Sequence, residues 1–337
     1  MNTFQVLSSL SNAVGVSGYE LSAVAVAEKH LANYGTTYTD SMGNLFCKAF
    51  DYNEKLPTIL LDAHIDEIGF VVNYITDDGF LKISACGGID RRVLLAQQVT
   101  VCGKEMIKGV VTSTPPHLEK DSSSCPKVED VYVDVGMTAD EVKKLVSLGD
   151  YVFIDSPARM LINYSVTSKA LDNRAGCTAV IKTLELLSLC ERKYNVLVCF
   201  SVQEELGLRG AKPAAFSAEF DEAIVVDVSF AKTHGESPKD CGVMGKGPMI
   251  GISPTLSRKM SDSLRRIAEN KLIPYQLEVM SGRTGTNADV IGLSAGGKNA
   301  VTVSIPLKHM HTPAEIVDLN DIENTAKLIC EYISDAE

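Results

Sequence analysis

Several apolar runs in this sequence end directly in ionisable residues, and this arrangement limits the possible fold more than any other feature. The run from Val196 to Val202 reads VLVCFSV, and the carboxylates of Glu204 and Glu205 follow it almost at once. Such runs are typical of strands buried on both faces of an α/β sheet. Adjacent carboxylates repel each other and are costly to bury. The pair is therefore either a solvated turn or a partner for a cation.

Three other apolar runs lead into ionisable side chains in the same way. His64 and Asp66 follow TILLDA, Asp227 ends EAIVV, and His311 lies a few residues beyond AVTVSI. Since sites in open α/β sheets form at the carboxyl ends of strands, the four runs should bring these side chains to one edge. Asp172 can join them from the cap position of the helix predicted for DNRAGCTAVIKTLELLSLCE.

The residue types at this edge suit a pair of metal ions. Imidazole nitrogens and carboxylate oxygens bind Zn²⁺, Co²⁺ and Mn²⁺. Two ions about 3.5–4 Å apart need a bridging ligand, and a carboxylate can bridge. A carboxylate that stays off the ions can act as general base toward a bound water. Adjacent glutamates allow that division of roles, and the cations would offset the repulsion between them.

The pattern of predicted secondary structure changes twice along the chain. Apolar strand runs and helical patterns occur up to about residue 69 and again from about residue 166. Between them lie short β-rich runs, such as FVVNYI, FLKISA, QVTVCG and IKGVVTS, separated by Gly, Pro and Asp. This spacing indicates a small antiparallel barrel or sandwich. The sequence predicts an α/β domain of residues 1–69 and 166–337, with a β-rich domain inserted at 70–165.

Composition excludes several classes of function. The net charge of −11 argues against general nucleic-acid binding, which needs a basic face. No run of about 18 apolar residues is present, and the N-terminus lacks the pattern of a signal peptide. The nine cysteines include no C-x-x-C pair, so we expect reduced thiols rather than a zinc ribbon or a redox pair. These features predict a cytoplasmic protein that binds neither membranes nor nucleic acid.

Several segments of the chain resemble those of the M42 family of metallo-aminopeptidases, also called the glutamyl- or tetrahedral-aminopeptidase family. They include GVSGYE, DAHIDEIGF, KALDNRAG, VQEELGLRGA, SGRTGTNADVIG and SIPLKHMHTPAEIV, and they span nearly the whole sequence. The resemblance implies a mixed, mostly parallel sheet flanked by helices, of the zinc-peptidase type, with an inserted β-barrel-like domain. It also implies a zinc- or cobalt-dependent enzyme that hydrolyses the N-terminal peptide bond of short peptides. Manganese is a further option for the ions.

The resemblance also implies roles for individual residues and a quaternary structure. The implied metal ligands are His64, Asp172, Glu205, Asp227 and His311. Asp172 would bridge, sharing one ion with His64 and Asp227 and the other with Glu205 and His311. Glu204 would be the general base acting on a metal-bridged water, and Asp66 would orient His64. Members of the family form dimers that can assemble into tetrahedral dodecamers, to which the inserted domain contributes.

Two positions depart from the family pattern. Asn287 stands where the acidic residue of GTDA is expected, and Lys308 and His309 replace an expected Arg-Tyr pair before MHT. Neither departure falls on an implied ligand. Both are expected close to the active-site edge, where they could alter specificity or subunit contacts.

Two other functions compete with this interpretation. A deacylase or carboxypeptidase of the M20 type would insert its extra domain late, before the final histidine. Here His64 and Asp172 are 108 residues apart, which leaves room for the insertion, whereas the 84 residues from Asp227 to His311 are too few. The other competitor is a scaffold or carbohydrate-related relative. Glycosidase action needs a spaced acid pair and no metal, so the histidines favour metal-assisted amide hydrolysis.

Overall fold

The computed structural model describes residues 2–115, 117–118, 125–235, 237, 239 and 241–334, which include every candidate site residue. Seventeen strands are assigned in this part of the chain. In chain order they are β1 (Gly35–Thr39), β2 (Leu45–Ala49), β3 (Thr58–His64), β4 (Gly69–Ile75), β5 (Leu81–Cys86), β6 (Gln98–Cys102), β7 (Met106–Thr112), β8 (Tyr132–Asp134), β9 (Tyr151–Ile154), β10 (Arg159–Met160), β11 (Ser165–Ser168), β12 (Asn195–Ser201), β13 (Glu222–Phe230), β14 (Met249–Ile252), β15 (Gln276–Val279), β16 (Asn299–Lys308) and β17 (Glu315–Asp318).

Eight α-helices accompany these strands in the described residues. They are α1 (Thr3–Asn12), α2 (Leu21–Leu31), α3 (Ala139–Leu145), α4 (Leu171–Leu187), α5 (Ala211–Ser217), α6 (Arg258–Asn270), α7 (Ala288–Ile291) and α8 (Leu319–Ser334). None of the described helices has the length and apolar character needed to cross a membrane. All nine cysteines are free thiols.

The large sheet is parallel at its centre and antiparallel at its edges. Strands β12, β3, β13 and β16 lie side by side and run parallel. β1 and β2 extend one side antiparallel, and β17, β11 and β10 extend the other. All seven residues of β12 are buried, which explains its unbroken apolar sequence. The predicted α/β class, with helices on a mixed sheet, is confirmed.

The two faces of the sheet pack against different helices. Ile59, Leu61 and Ala63 of β3 belong to the core shared with α1, α4 and α8. Leu60 belongs to a smaller core with α5 and α7. Because side chains alternate along a strand, Asp62 lies on the same face as Leu60. A carboxylate is thus buried beneath the sheet edge that carries the candidate site.

Six antiparallel strands close into a barrel in the order β4, β5, β8, β7, β6, β9. Its interior is filled by its own apolar cluster, which includes Phe70, Val101 and Val133. The barrel begins only five residues after β3 ends, so it is attached directly beside the candidate site. The predicted β-barrel-like insertion is present, and its boundaries at residues 70 and 165 remain a prediction.

Candidate metal centre

The candidate residues converge at the carboxyl end of the parallel strands. His64 is the last residue of β3, and Glu204 and Glu205 follow β12. Asp227 does not end its strand as the sequence suggested, because β13 stays paired with β16 as far as Phe230. The pairing of β13 with β3 stops at Asp62 and Val225, however. Asp227 therefore lies beside His64 but is not paired with β3.

The carboxylate of Asp172 lies between the two histidines. His64 Nε2 is 3.0 Å from Asp172 Oδ1 and 3.7 Å from Asp227 Oδ1. His311 Nε2 is 3.5 Å from Asp172 Oδ2 and 3.4 Å from Glu205 Oε1. One carboxylate therefore turns one oxygen toward each imidazole, with a further carboxylate on either side.

A metal-sized cluster exists within this group. Ligand atoms of His64, Asp172 and Glu205 all lie within 4.8 Å of one another. The side chains of these residues are 2%, 7% and 5% exposed, so water screens their charges poorly. Asp227 and His311 flank the cluster at the distances given above. The structure brings together all five residues that the sequence predicted as ligands.

Asp172 sits in an irregular segment rather than at a simple helix cap. Within α4, Asp172 and Asn173 have non-helical torsion angles, and Ala170 is left-handed with φ of 56°. The Asn173 side chain bridges this segment, donating to Val226 O and accepting from the backbone N–H of Gly176. The regular helix therefore starts after the residue that carries the central carboxylate.

Asp66 contacts more than the histidine it was expected to orient. Its Oδ1 lies 3.4 Å from His64 Nδ1. The same carboxylate accepts the backbone N–H groups of Glu204 and Glu205, at 3.0 and 3.1 Å, and the hydroxyl of Ser17. Burial would raise the pKa of Asp66, but His64 and these donors outweigh it and lower the pKa. Asp66 thus fixes the loop that carries the glutamate pair.

The two glutamates differ in their surroundings. The Glu205 carboxylate faces His311 and is nearly buried. Among the described residues, none donates a hydrogen bond to the Glu204 carboxylate. Burial raises the pKa of Glu204 to about 8, and the carboxylates of Asp172 and Glu205 add to the rise. This geometry is consistent with Glu205 as a metal ligand and Glu204 as a carboxylate that remains available to act as a base.

The buried carboxylates raise the pKa values of both imidazoles. Burial alone would lower their pKa values, but Asp172 and Asp66 raise the pKa of His64 well above its usual range. At His311 the carboxylates of Asp172 and Glu205 raise the pKa to about 11. Burial raises the pKa of Asp227 well above normal. This donor set fits divalent cations, which would replace the imidazole protons as partners of the carboxylates.

The barrel supplies one wall of the site, which sequence patterns did not reveal. Gly87 and Gly88 follow β5, and a Cβ at Gly88 would lie 3.1 Å from His311 Nδ1. A Cβ at Gly87, whose φ is +85°, would lie 3.2 Å from Glu205 Cβ. Side chains at these positions would press on two candidate ligands, and the positive φ of Gly87 also favours glycine there.

Two buried glutamates near the site were also missed. Glu20 accepts the backbone N–H of Gly18 at 2.7 Å and that of Gln203 at 3.2 Å, next to the candidate base. Burial raises the pKa of Glu20 to about 7. Glu315 accepts backbone N–H groups from Asp172 and His311. Both lie in the segments GVSGYE and HTPAEIV, so the family resemblance was the signal that could have singled them out.

The departure at Asn287 is buried rather than at the surface. The residue is 1% exposed, and its Nδ2 donates to Asp62 Oδ1 and to Ser201 Oγ, both at 2.8 Å. Subunit contacts through Asn287 are therefore excluded. Burial raises the pKa of Asp62 to about 6, and the amide of Asn287 opposes the rise. Asparagine at this position forms a neutral donor for a carboxylate directly below His64.

Replacing Asn287 by aspartate should destabilise the protein at pH 7.5 by about 3 kcal/mol. The substitution removes a donor and places two buried carboxylates in contact. Chemical unfolding of wild type and Asn287→Asp measures the loss. The double variant Asp62→Asn/Asn287→Asp exchanges the two groups and should recover most of the stability. A neutral single variant, or no recovery in the double variant, would contradict this account of the pair.

Comparison with known proteins gives a consistent result. Residues 43–328 match the family described as M42 glutamyl aminopeptidase. The lysyl aminopeptidase of Pyrococcus furiosus is 30% identical over 341 residues, which cover 97% of this chain and 96% of that protein.

Solved structures with the same fold are also similar in sequence. The aminopeptidase APDkam598 from the archaeon Desulfurococcus kamchatkensis superposes with a TM-score of 0.92 at 33% identity, covering 99% of this chain and 95% of that one. The Pyrococcus horikoshii TET1 peptidase superposes with a TM-score of 0.87 at 30% identity, covering 99% and 100%. That peptidase is described as assembling into a tetrahedron or a large octahedral shell.

Proposed function

Because the chain belongs to the M42 glutamyl aminopeptidase family, we propose that it is a two-metal aminopeptidase that removes N-terminal residues from short peptides. The observation that carries the proposal is the Asp172 carboxylate, with one oxygen directed at each histidine. That arrangement supports a bridging ligand. One ion would be held by His64, Asp172 and Asp227, and the other by Asp172, Glu205 and His311.

The metals would be zinc or cobalt, with manganese a further option, since all five ligands offer nitrogen or oxygen. Two such ions polarise a scissile carbonyl and lower the pKa of a nearby water. The protein's own contribution is positional. Asp66 holds the backbone of Glu204 and Glu205 and lies against the outer nitrogen of His64. These contacts fix the position of the proposed base Glu204 relative to the proposed ligands Glu205 and His64.

Glu204 is the general base of the proposed reaction. It is half-buried beside the ligands, and among the described residues it has no hydrogen-bond donor that would compete for its carboxylate. It would take a proton from the attacking water and pass it to the leaving amine.

A cavity beside the site could receive part of the peptide. It has a volume of about 660 Å³, and its lining includes Met310 and Thr312, the chain neighbours of His311. Phe230 on the sheet and Asp90 and Arg92 near the barrel also line it. His309, one of the departures from the family pattern, lines it. We therefore expect His309 to influence which peptides are accepted.

Chelation tests this function directly. The enzyme should hydrolyse aminoacyl-p-nitroanilides, lose this activity when a chelator removes its metals, and regain it with Co²⁺, Zn²⁺ or Mn²⁺. Full activity after elemental analysis shows no bound metal would contradict the metal-dependent mechanism. Parallel assays with N-acyl amino acids and with β-glucans distinguish the deacylase and carbohydrate-related alternatives.

We also propose that the chain assembles into homodimers, which can join into a larger shell. The similarity to the TET1 peptidase and the presence of the closed barrel support this proposal. Light scattering at micromolar protein concentration with metal present should give at least the dimer mass. A monomer under these conditions would contradict the proposal.

A further inference from the structure

One buried carboxylate joins the two chain segments that carry Asp172 and His311. Glu315, the first residue of β17, is 2% exposed. Its Oε2 accepts the backbone N–H of Asp172, and its Oε1 accepts that of His311, both at 3.0 Å. Each oxygen thus holds one segment, although 143 residues of sequence separate Glu315 from Asp172.

Both segments need such support because neither has regular backbone geometry. His311 has φ of +61° and His309 has φ of +59°, in the left-handed region that non-glycine residues seldom adopt. A conformation of this kind is strained and persists only when its surroundings hold it. Asp172 is likewise non-helical. The carbonyl of His311 accepts the Asp90 N–H at 3.3 Å, so contacts hold both sides of this residue.

Glu315 lies close to a buried cation. Lys169 and Arg174 are both buried, and Lys169 interacts electrostatically with Glu315. Lys169 also forms a 2.7 Å ion pair with Glu67. Glu315 is therefore part of the frame of the site rather than an exposed acid.

We infer that Glu315 is a positioning residue that sets the spacing between Asp172 and His311. It thereby sets the affinity for the ion that Asp172, Glu205 and His311 would hold. This inference rests on the proposed two-metal function. Both oxygens of Glu315 are engaged by backbone N–H groups, so it acts through the ligands instead of binding metal itself. Glutamine at this position keeps the shape but turns an NH₂ group toward one of the two backbone donors. One ligand segment should then move.

The chain contains a matched control for this change. Asp321, in α8, is also fully buried and accepts two backbone N–H groups, those of Gly245 and Gly247, both at 2.7 Å. These contacts hold a different loop, and none of them involves a candidate ligand. Asp321→Asn therefore disrupts the same kind of carboxylate–backbone hydrogen bonds, but away from the metal centre.

Titration of metal-free wild type, Glu315→Gln and Asp321→Asn with Co²⁺ tests the inference. Visible absorption reports the geometry of bound Co²⁺, elemental analysis gives the stoichiometry, and circular dichroism checks folding. Glu315→Gln should bind one of two ions about 10–100-fold more weakly than wild type. Its peptidase turnover should recover partly with excess Co²⁺. Asp321→Asn should lose stability but keep wild-type affinity and spectrum.

Wild-type Co²⁺ affinity in Glu315→Gln would overturn the inference, as would equal weakening in Asp321→Asn. If wild type binds two Co²⁺ ions but hydrolyses no peptide, only the proposed function fails. If wild type binds no Co²⁺, the inference and the proposed function both fail.

Discussion

Replacing Glu204 by glutamine should lower the turnover of an aminoacyl-p-nitroanilide by about 10²–10⁴-fold, the usual contribution of a positioned general base. Glutamine keeps the size of the side chain but cannot accept the proton. The Glu204 carboxylate is not among the proposed ligands, and its backbone N–H is held by Asp66 at 3.0 Å. The variant should therefore keep both ions and its fold.

The neighbouring glutamate provides the control for this experiment. Glu205 Oε1 lies 3.4 Å from His311 Nε2, in the proposed ligand set. Glu205→Gln should weaken one metal site, and excess metal should restore part of the activity. Metal stoichiometry and turnover are measured in both variants. If Glu204→Gln loses an ion while Glu205→Gln keeps both, the two roles are reversed. If neither variant loses turnover, the pair takes no part in catalysis.

Replacing Asp172 by alanine should have the broadest effect, because this carboxylate is the one proposed to touch both ions. Metal content should fall from two ions per chain to nearly none at buffered low metal concentration. The two ions would stabilise the charge of the transition state by several kcal/mol. Without them, turnover should fall on the order of 10³-fold or more. Elemental analysis and steady-state kinetics on the same preparation measure the two effects.

His311→Ala is the matched comparison, since His311 lies on one side of Asp172 only. It should lose about one ion per chain and most of the activity. An Asp172 variant that loses only one ion, or a His311 variant that keeps two ions and full activity, would contradict the bridging arrangement.

The sequence predicted the parts of this site that follow from regular strands. Parallel strands must end at a common edge, so ionisable residues after buried apolar runs had to meet there. His64, Glu205 and His311 could be placed by this rule. Asp227 shows its limit. The extent of β13 depends on its pairing with β16, which continues to Phe230, and local sequence does not report the partner strand.

The supporting residues could not be predicted in the same way. A glutamate such as Glu20 or Glu315 is usually exposed, and nothing local marks it as buried. Their partners are distant in sequence, with 183 residues between Glu20 and Gln203 and 225 between Asp62 and Asn287. Asn287 illustrates the consequence, because its departure from the family pattern was visible in the sequence while its partner Asp62 was not.

The barrel was predicted in kind but not in its contact with the site. Alternating β-rich runs indicated a small antiparallel unit, and its closure is seen in the pairing of β4 with β9. The approach of Gly87 and Gly88 to Glu205 and His311 depends on how that unit sits on the sheet. Tertiary placement of this kind leaves no periodic signal in a single sequence.

Anomalous diffraction from crystals grown with Co²⁺ tests the central claim most directly. The account predicts two peaks per chain, one contacted by His64, Asp172 and Asp227 and the other by Asp172, Glu205 and His311. Both peaks should touch the Asp172 carboxylate, and Glu204 should contact neither. No peak at this edge of the sheet, or a single peak that Asp172 does not touch, would contradict the claim.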